Sequence, residues 1–445
     1  MQRFNATLAI FVLVLALTGF GLVMIYSSSA VVAAARVNKA QSEQLRLGEV
    51  LRPVNYHWLY LQRQLVWCGF GMLALILLYG LDYNVVLKRS KWLLILTAIL
   101  LAAVYIPHIG QKINGARRWI RVGPMTFQPS ELAKLAVIIA TAKMLNDGRE
   151  QLLSFNGFLP PLLLSVGFVA FIGIEDLGAA IVLALITATL WFIAGVRFRH
   201  LMLLGPIGMA GVAVGVVMRP FRLIRILIWL LSLICGGDIT NPAVVEQAGP
   251  IRQAIIAFGM YIVSLIGGSS ANLAAIGEKA WHIKMALIAV GTGGWTGLGA
   301  GMGIQKHYFL PAVFTDFVMA DICEELGFIG AIVLLILFAL LCAIGFRMAY
   351  KSPDFVGALL AAGMTAMIAV PALINVAVVL ACVPTKGLAL PFISYGGSSL
   401  LINLSAMGLL MNIARRNEQI QEVRQRFLVS RERRVWKLRR SEGAG

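Results

Sequence analysis

The sequence predicts an all-α integral membrane protein with about ten transmembrane helices and both termini in the cytoplasm. Hydrophobic residues make up 59% of the 445 residues and charged residues only 13%, against roughly 25% charged residues in soluble domains. The apolar residues also occur in blocks that are long enough to cross a bilayer. The first block, which extends from Leu8 beyond Met24, is too long for the hydrophobic region of a cleavable signal peptide.

The apolar blocks define the predicted spans. They lie at residues 7–30, 61–81, 92–107, 130–146, 157–173, 177–195, 201–218, 317–346, 355–381 and 397–413. An even number of spans places both termini on one side, and the basic C-terminal tail identifies that side as the cytoplasm. Lys88, Arg197 and Arg347 fall on the same side. We therefore expect one membrane domain over residues 1–413, followed by a basic, disordered cytoplasmic tail over residues 414–445.

The longest predicted extracytoplasmic loop covers residues 219–316, between spans 7 and 8. It contains two apolar runs, Ile226–Cys235 and Ala254–Gly267, and the first of them is too short to span a membrane. We expect both runs to form interfacial or re-entrant helices that pack on the bundle, because one further span would move the basic tail to the outside.

The net charge is +18, which by itself would be compatible with nucleic-acid binding. In membrane proteins, however, basic residues usually mark cytoplasmic loops, and a basic tail next to a span typically contacts anionic lipid or a protein partner. The five cysteines lie in or near apolar segments without metal-ligand spacing. They indicate small core residues rather than a disulfide framework or a zinc site.

The predicted outer loop at residues 108–129 breaks the usual charge rule, because Lys112, Arg117 and Arg118 lie close to spans on the outer side. An incorrect topology and ordinary surface charge on a long loop are two explanations. A bound anion is the third, since Arg matches phosphate oxygens bidentately and the neighbouring Trp119 can stack on a sugar or lie among lipid headgroups.

Charged residues also stand where two further predicted spans meet the outer side. Glu131 and Lys134 open the span at 130–146 with i,i+3 spacing, which favours an ion pair in the first turn of a helix. Glu175 and Asp176 form a short outer turn. Each pattern has a structural interpretation, a helix start or a solvated turn, but charged residues at a span entrance are also functional candidates.

Asp316 is the strongest catalytic candidate. It immediately precedes a span whose first turns carry Asp321, Glu324 and Glu325. Acidic residues at this position are unfavourable unless they are paired or line a water-filled cavity, and a partly buried carboxylate is suited to accepting a proton. Stabilisation by the helix dipole explains Asp316 well, but it explains Glu324 and Glu325 less easily.

The segment 390–399 places Ser394, Tyr395 and Ser398 at the mouth of the last span, with Lys386 a few residues upstream. Glycine and serine allow backbones to approach closely, and the hydroxyl groups supply donors at the membrane surface. Helix packing and substrate contact both explain this pattern.

Six sets of residues carry a resemblance to a known family. They are residues 115–120, 128–134, 291–299 with 305–306, 315–317 with 324–327, 384–387, and 390–399. Together they resemble the FtsW/RodA/SpoVE (SEDS) family, the polytopic membrane proteins that polymerise bacterial peptidoglycan. The chain departs from the family pattern at Phe314, where the family has His, at Ala312, where it has Glu, and at Glu175, where it has Pro. The resemblance is weak between residues 226 and 290.

The resemblance implies a glycosyltransferase that uses the lipid-linked disaccharide lipid II at the outer membrane face. Asp316 would act as the general base. The charge of the pyrophosphate leaving group would be countered by Lys112, Arg117, Arg118, Lys134 and Lys386. The other candidate substrate contacts are Trp119, Glu131, Gln305, Ser394, Tyr395 and Ser398, and the supporting acids are Asp176, Asp321, Glu324 and Glu325.

The sequence contains no ligand cluster that requires a cofactor. A divalent cation, Mg²⁺ or Mn²⁺, could nevertheless help the basic residues to neutralise the charge of the pyrophosphate. The implied partners are the growing glycan strand, a class B penicillin-binding protein and other divisome membrane proteins, and not nucleic acid. The Pro-Thr-Lys-Gly sequence at 384–387 looks more like the division-type FtsW branch than the elongation-type RodA branch, which implies a location at the septum. Two other functions stay open: a lipid II flippase or transporter, which would need charges near mid-bilayer, and a catalytically degenerate scaffold.

Overall fold

The computed structural model describes residues 5–47, 57–113, 116–123, 125–152, 154–217, 270–308, 314–384 and 387–442, together with six positions between 222 and 230. The helices are α1 (Ala6–Leu47), α2 (His57–Gly80), α3 (Tyr83–Lys88), α4 (Ser90–Ala103), α5 (Pro129–Asp147), α6 (Phe155–Glu175), α7 (Leu177–Ile193), α8 (Phe198–Val217), α9 (Ser270–Thr292), α10 (Gln305–Tyr308), α11 (Val318–Lys351), α12 (Phe355–Val379) and α13 (Gly397–Glu442). The strands β1 (Gly110–Ile113), β2 (Ala116–Val122) and β3 (Met125–Phe127) lie between α4 and α5.

Each of the predicted spans coincides with one helix. Within the described ranges, six helices are long and apolar enough to cross a membrane, namely α1 over Ala6–Ser29, α2 over Tyr60–Gly80, α6, α11, α12, and α13 over Gly397–Ile420. The helices α4 and α7 and the second half of α8 are apolar but shorter. The predicted helical membrane fold is confirmed, whereas the number of spans stays a prediction.

The central helix of the bundle is α5. It packs against α4, α6, α7, α12 and α13, and the side chains along most of its length are buried. Because protein rather than lipid surrounds this helix, it does not need the uniformly apolar surface of a lipid-facing span. The buried positions include the charged pair Glu131 and Lys134 in its first turn.

A three-stranded antiparallel sheet, in the order β1-β2-β3, occupies most of the loop 108–129. This sheet was not predicted from the sequence. In its register, Ile120 pairs with Gly110 on one side and with Phe127 on the other. Gly123 has a φ of +61° in the turn between β2 and β3, a conformation that glycine adopts without steric cost.

The sheet marks one end of the bundle, here named the sheet end. Arg117 on β2 contacts Glu175 at the end of α6, and β3 contacts α13. The loops before α11 and α13 lie at this end too, since the amide of Tyr395 donates to the carbonyl of Phe314 at 2.8 Å. The sheet end therefore collects the segments that carry the predicted site residues.

The opposite end, here named the tail end, is held together by polar contacts among α3, α13 and the residues before α12. Arg416 forms an ion pair with Asp82 at 2.9 Å and lies over the ring of Tyr83, and the Tyr83 hydroxyl donates to Asp354. Burial and the Asp354 carboxylate raise the pKa of Tyr83. From this end α13 continues as a helix to Glu442, so the expectation of a disordered tail is wrong.

The long loop 219–316 contains α9, a helix of 23 residues that the sequence analysis did not predict. It packs on α11, with Met285, Ala286 and Ala289 buried. The apolar run Ala254–Gly267 lies outside the described residues, and only four residues of Ile226–Cys235 are described. The predicted interfacial or re-entrant form of these two runs stays a prediction.

Candidate functional site

Asp316 lies in the turn that leads into α11, half-buried. Its carboxylate faces the Cα of Gly387: a Cβ at position 387 would lie 2.3 Å from Oδ2 of Asp316. Any side chain at 387 would therefore displace this carboxylate or the loop that carries residue 387. The close approach explains on steric grounds why a glycine follows the predicted Lys386, which itself lies outside the described residues.

An aromatic cluster joins the loop of Asp316 to the loop before α13. The ring of Phe314 lies 5.0 Å from that of Tyr60 and 5.7 Å from that of Tyr395, centroid to centroid. Burial raises the pKa of Tyr395, while the neighbouring Arg63 opposes this shift. Phe314, which stands where the family has His, thus serves as an apolar packing element beside the candidate catalytic loop.

The two predicted serines of the last motif have different surroundings. The hydroxyl of Ser394 accepts a hydrogen bond from the amide of Leu390 at 2.8 Å and so closes its own turn. Ser398 is buried, and its hydroxyl has no hydrogen-bond partner within the described ranges. A Cβ at Gly397 would lie 2.0 Å from the ring of Trp67. Close helix packing therefore explains the small residue at 397.

The supporting acids Asp321, Glu324 and Glu325 form a buried cluster in the first turns of α11, with at most 1% of each residue exposed. Glu325 pairs with Lys306, a residue that lies beside the predicted Gln305. Glu324 accepts hydrogen bonds from the backbone amides of Ile304 and Gln305, at 3.0 and 3.1 Å. The predicted site residue Gln305 is therefore anchored to this cluster by its main chain.

Two serines of α1 complete the acid cluster. Ser27 donates to Glu325 at 2.8 Å and Ser28 donates to Asp321. Neither serine was among the predicted site residues, although hydroxyl groups in an otherwise apolar span are a recognised signal of contact between helices. The second carboxylate oxygen of Asp321, Oδ1, has no hydrogen-bond partner among the described residues.

The helix α11 is broken at Gly327, which has φ and ψ of 66° and −168°. The break removes the intrahelical donors for the carbonyls of Glu324 and Glu325. These two carbonyls instead accept hydrogen bonds from the amides of Leu298 and Gly299, both at 3.0 Å. Non-helical backbone inside a membrane protein needs such replacement partners.

The glycine-rich segment also supplies acceptors for the second half of the broken helix. The amides of Phe328 and Ile329 donate to the carbonyls of Gly294 and Trp295, at 2.9 and 3.1 Å. Gly297 has a φ of +80°, and a Cβ there would lie 2.1 Å from the carbonyl oxygen of Glu325. The glycine-rich motif therefore has a structural function, which is to fill the break in α11 and fix the buried acids.

The basic residues of the sheet are divided between internal contacts and the surface. Arg118 donates to the carbonyl of Glu175 at 3.0 Å and pairs with Asp176 at 3.5 Å. Asp176 also caps α7 through the amides of Gly178 and Ala179, both at 3.2 Å. This part of the motif has a clear structural role, and the solvated-turn interpretation of Asp176 is wrong because that residue is buried.

Lys112 and Arg117 lie exposed on the same sheet, and Trp119 is half-buried. The guanidinium of Arg117 donates to the carbonyl of Tyr105 at 3.3 Å. A small cleft of about 30 Å³ lies between β2 and the ends of α4 and α6. Its lining includes Arg117, Arg118 and the aromatic side chain of Phe171.

The first turn of α5 contains the predicted ion pair, with Lys134 Nζ at 2.8 Å from Glu131 Oε2. Both residues are buried. Nearby, Gln128 donates to Ser130 at 3.0 Å.

The structure thus divides the predicted site residues into three groups at the sheet end. One contains Asp316 with Ser394 and Tyr395, another contains the acids of α11 with Gln305, and the last contains the residues of the sheet with Glu131, Lys134 and Asp176. In the part of the chain that the structure describes, no group of three or more His, Cys, Asp or Glu side chains has the arrangement of a metal site. Asp316 faces Gly387, whereas the acids that follow it in sequence contact Ser27 and Ser28 of α1 and the segment 304–306.

Comparison with known proteins gives consistent matches over nearly the whole chain. A family model named for FtsW, RodA and SpoVE and described as "Cell cycle protein" matches residues 7–260 and 260–419. The chain is 34% identical to the stage V sporulation protein E of Bacillus subtilis, covering 93% of this chain and 98% of that protein. It is 36% identical to a probable peptidoglycan glycosyltransferase FtsW of Trichlorobacter lovleyi, covering 92% of each.

Two solved structures have the same fold. One is a chain of a peptidoglycan synthase complex studied for the coordination of polymerization and crosslinking, with a TM-score of 0.60, 26% identity, and coverage of 92% of this chain and 98% of that chain. The other is a mutant of the rod shape-determining protein RodA of Thermus thermophilus, with a TM-score of 0.57, 25% identity, and coverage of 91% and 96%.

Proposed function

This chain belongs to the FtsW/RodA/SpoVE family, and on that basis we propose that it is a peptidoglycan glycosyltransferase that polymerises lipid II at the outer face of the cytoplasmic membrane. Relatives named as probable peptidoglycan glycosyltransferases are 32–36% identical to it over most of its length. The single structural observation that supports a reaction centre is the carboxylate of Asp316, half-buried at the sheet end and held against the backbone at Gly387.

In the proposed reaction, Asp316 accepts the proton of an acceptor sugar hydroxyl as the hydroxyl oxygen attacks the anomeric carbon of the donor. The new bond joins that oxygen to the anomeric carbon. The bond that breaks joins the anomeric carbon to the pyrophosphate of the lipid carrier, which departs with its negative charge. Asp316 retains the proton until it is released to water, so atoms and charge balance.

We assign the developing charge of the pyrophosphate to basic residues at the sheet end. The exposed position of Lys112 and Arg117 supports this role, and Lys386 is proposed from its place beside Gly387. Arg118 pairs with Asp176, and Lys134 pairs with Glu131. We therefore assign these two basic residues a structural role beside the site rather than a contact with the pyrophosphate.

The other predicted residues receive narrower roles. Trp119, Tyr395 and Ser398 are proposed to border the sugar-binding region, whereas Ser394 maintains the turn. Asp321, Glu324 and Glu325 are proposed to hold the glycine-rich segment and Gln305 rather than to contact substrate. The contacts that support this division are the hydrogen bonds from Ser28 to Asp321, from Gln305 to Glu324, and from Lys306 to Glu325.

The multi-pass membrane location follows from the fold and the family. We propose that the sheet end faces the outside and that residues 414–442 extend α13 into the cytoplasm. The similarity to a chain of a peptidoglycan synthase complex supports a penicillin-binding protein as partner, and we propose one of class B. Relatives named FtsW support a role in division at the septum with other divisome proteins.

The test is polymerisation of lipid II by the purified protein with its penicillin-binding partner, comparing wild type with Asp316→Asn. Asp354→Asn is the matched control, because Asp354 lies at the tail end and hydrogen-bonds to Tyr83. Glycan strands from wild type and Asp354→Asn but not from Asp316→Asn are the expected result. Equal activity of Asp316→Asn would remove Asp316 from the chemistry. Absence of glycan from all three, with the partner bound, would instead favour transport or scaffolding.

A further inference from the structure

Asn375 is a buried amide on α12, within a segment that is otherwise almost entirely apolar. Only 1% of the residue is exposed, and a buried amide N–H without an acceptor is unfavourable. The side-chain oxygen, Oδ1, has no hydrogen-bond partner among the described residues. Its position near the end of α12 brings it below two loops of the sheet end. No sequence motif marks this residue, and its contacts indicate its role.

The side-chain amide of Asn375 connects these two loops. Its Nδ2 donates to the carbonyl oxygen of Asp316 at 3.1 Å and to the carbonyl oxygen of Leu388 at 2.7 Å. Both N–H groups of the amide are therefore used on backbone acceptors. One acceptor belongs to the candidate catalytic residue itself, and the other belongs to the residue that follows Gly387.

The same two loops meet directly at Asp316 and Gly387. A Cβ at 387 would lie 2.3 Å from Oδ2 and 2.8 Å from Cγ of Asp316. The carboxylate therefore lies against the loop that Asn375 ties to the backbone of Asp316. With both carbonyls fixed by one planar amide, the separation of the loops is set by a rigid group rather than by loop conformation.

We propose that Asn375 is a positioning residue that clamps the two loops and sets the place of the Asp316 carboxylate in the reaction centre. The inference rests on the proposed catalytic function of Asp316. Asn375 does not touch the reacting atoms, and it acts through the backbone of Asp316. Loss of the clamp should displace the carboxylate while leaving the substrate-binding residues of the sheet in place.

Asn375→Leu tests this proposal, because leucine has a similar size and no donor. The chain offers a matched control in Asn412, which is also buried on a helix and also donates through Nδ2 to two backbone carbonyls, those of Tyr79 and Leu81. These contacts lie at the tail end. Asn375→Leu and Asn412→Leu thus remove the same kind of interaction at opposite ends of the bundle.

The measurement is steady-state polymerisation of lipid II, with kcat and KM determined for wild type, both leucine variants and Asp316→Asn, together with the thermal unfolding of each. We expect Asn375→Leu to lower kcat by about 10- to 100-fold, the effect of misplacing a reacting group by about 1 Å, with KM within about threefold of wild type. Asn412→Leu should lower the melting temperature to a similar extent and leave kcat unchanged.

A double variant supplies a second, independent criterion. Gly387→Ala should disturb the same carboxylate from the other side, so its effect and that of Asn375→Leu should combine to less than the product of the two. Fully multiplicative effects would overturn the clamp.

The remaining outcomes distinguish failure of the proposed positioning role of Asn375 from failure of the proposed catalytic function of Asp316. If Asp316→Asn is inactive but Asn375→Leu and Asn412→Leu have the same kcat, the clamp is wrong and the catalytic role of Asp316 stands. If Asp316→Asn polymerises normally, or if wild type makes no glycan with its partner, the proposed function fails and the clamp fails with it.

Discussion

Replacing Gly387 by alanine tests how closely the reaction depends on the place of the Asp316 carboxylate. The added Cβ would lie 2.3 Å from Oδ2 of Asp316, whereas ordinary van der Waals contact begins near 3.4 Å. The two groups must therefore separate by about 1 Å. Because Asn375 ties the backbone of Leu388, the loop at 387 has little freedom to retreat, and most of the displacement falls on the carboxylate.

A displacement of about 1 Å in a reacting group lowers the rate by roughly 100-fold, which corresponds to about 2.7 kcal/mol in activation free energy. Gly387 is exposed, so the same substitution should change the melting temperature little. We expect kcat for lipid II polymerisation to fall by this factor, with little change in KM.

The control for this experiment is Gly80→Ala. Gly80 is an exposed glycine at the end of α2, and a Cβ there would meet nothing within 4 Å. This variant should polymerise lipid II like the wild type. If Gly387→Ala also matches the wild type while Asp316→Asn is inactive, the reaction does not depend on the close approach of Gly387 to Asp316.

Two further predictions concern the acid cluster and the tail end. Lys306→Met leaves Glu325 without its buried partner and should lower the free energy of unfolding by about 3–5 kcal/mol, measured by denaturation in detergent. Adding Glu325→Gln should recover part of this loss, and a fully stable Lys306→Met variant would contradict the ion pair. A hydrogen bond from the Asn84 amide, aided by Arg416, holds the pKa of Asp82 below its usual value, so its stabilising effect is present at neutral pH and is lost as the pH falls below about 4. The difference in melting temperature between wild type and Asp82→Asn should therefore disappear in acid, and a difference that persists there would exclude the charge as its cause.

The sequence determined the helical membrane fold, because the length of an apolar block is itself the condition for crossing a bilayer. Local motifs also determined the family, and the i,i+3 spacing of Glu131 and Lys134 predicted their ion pair correctly. The β-sheet could not be predicted in the same way, because short strands in a polar loop do not form apolar blocks. The extension of α13 to Glu442 was missed because charge alone was taken as evidence of disorder.

The tertiary structure decided which of the charged residues lie together. Sequence proximity suggested that Asp316 acts with Asp321, Glu324 and Glu325. In the structure Asp321 and Glu325 contact α1 and Lys306, and Glu324 accepts hydrogen bonds from the amides of residues 304 and 305. Asp316 instead faces Gly387. The partners Ser27, Lys306 and Asn375 are distant in sequence from the groups they hold, and single-chain patterns carry no information about such contacts. Periodicity and motif therefore define the elements and the chemical groups, whereas the packing of helices in three dimensions decides which carboxylate is held at the reaction centre and which ones support the fold.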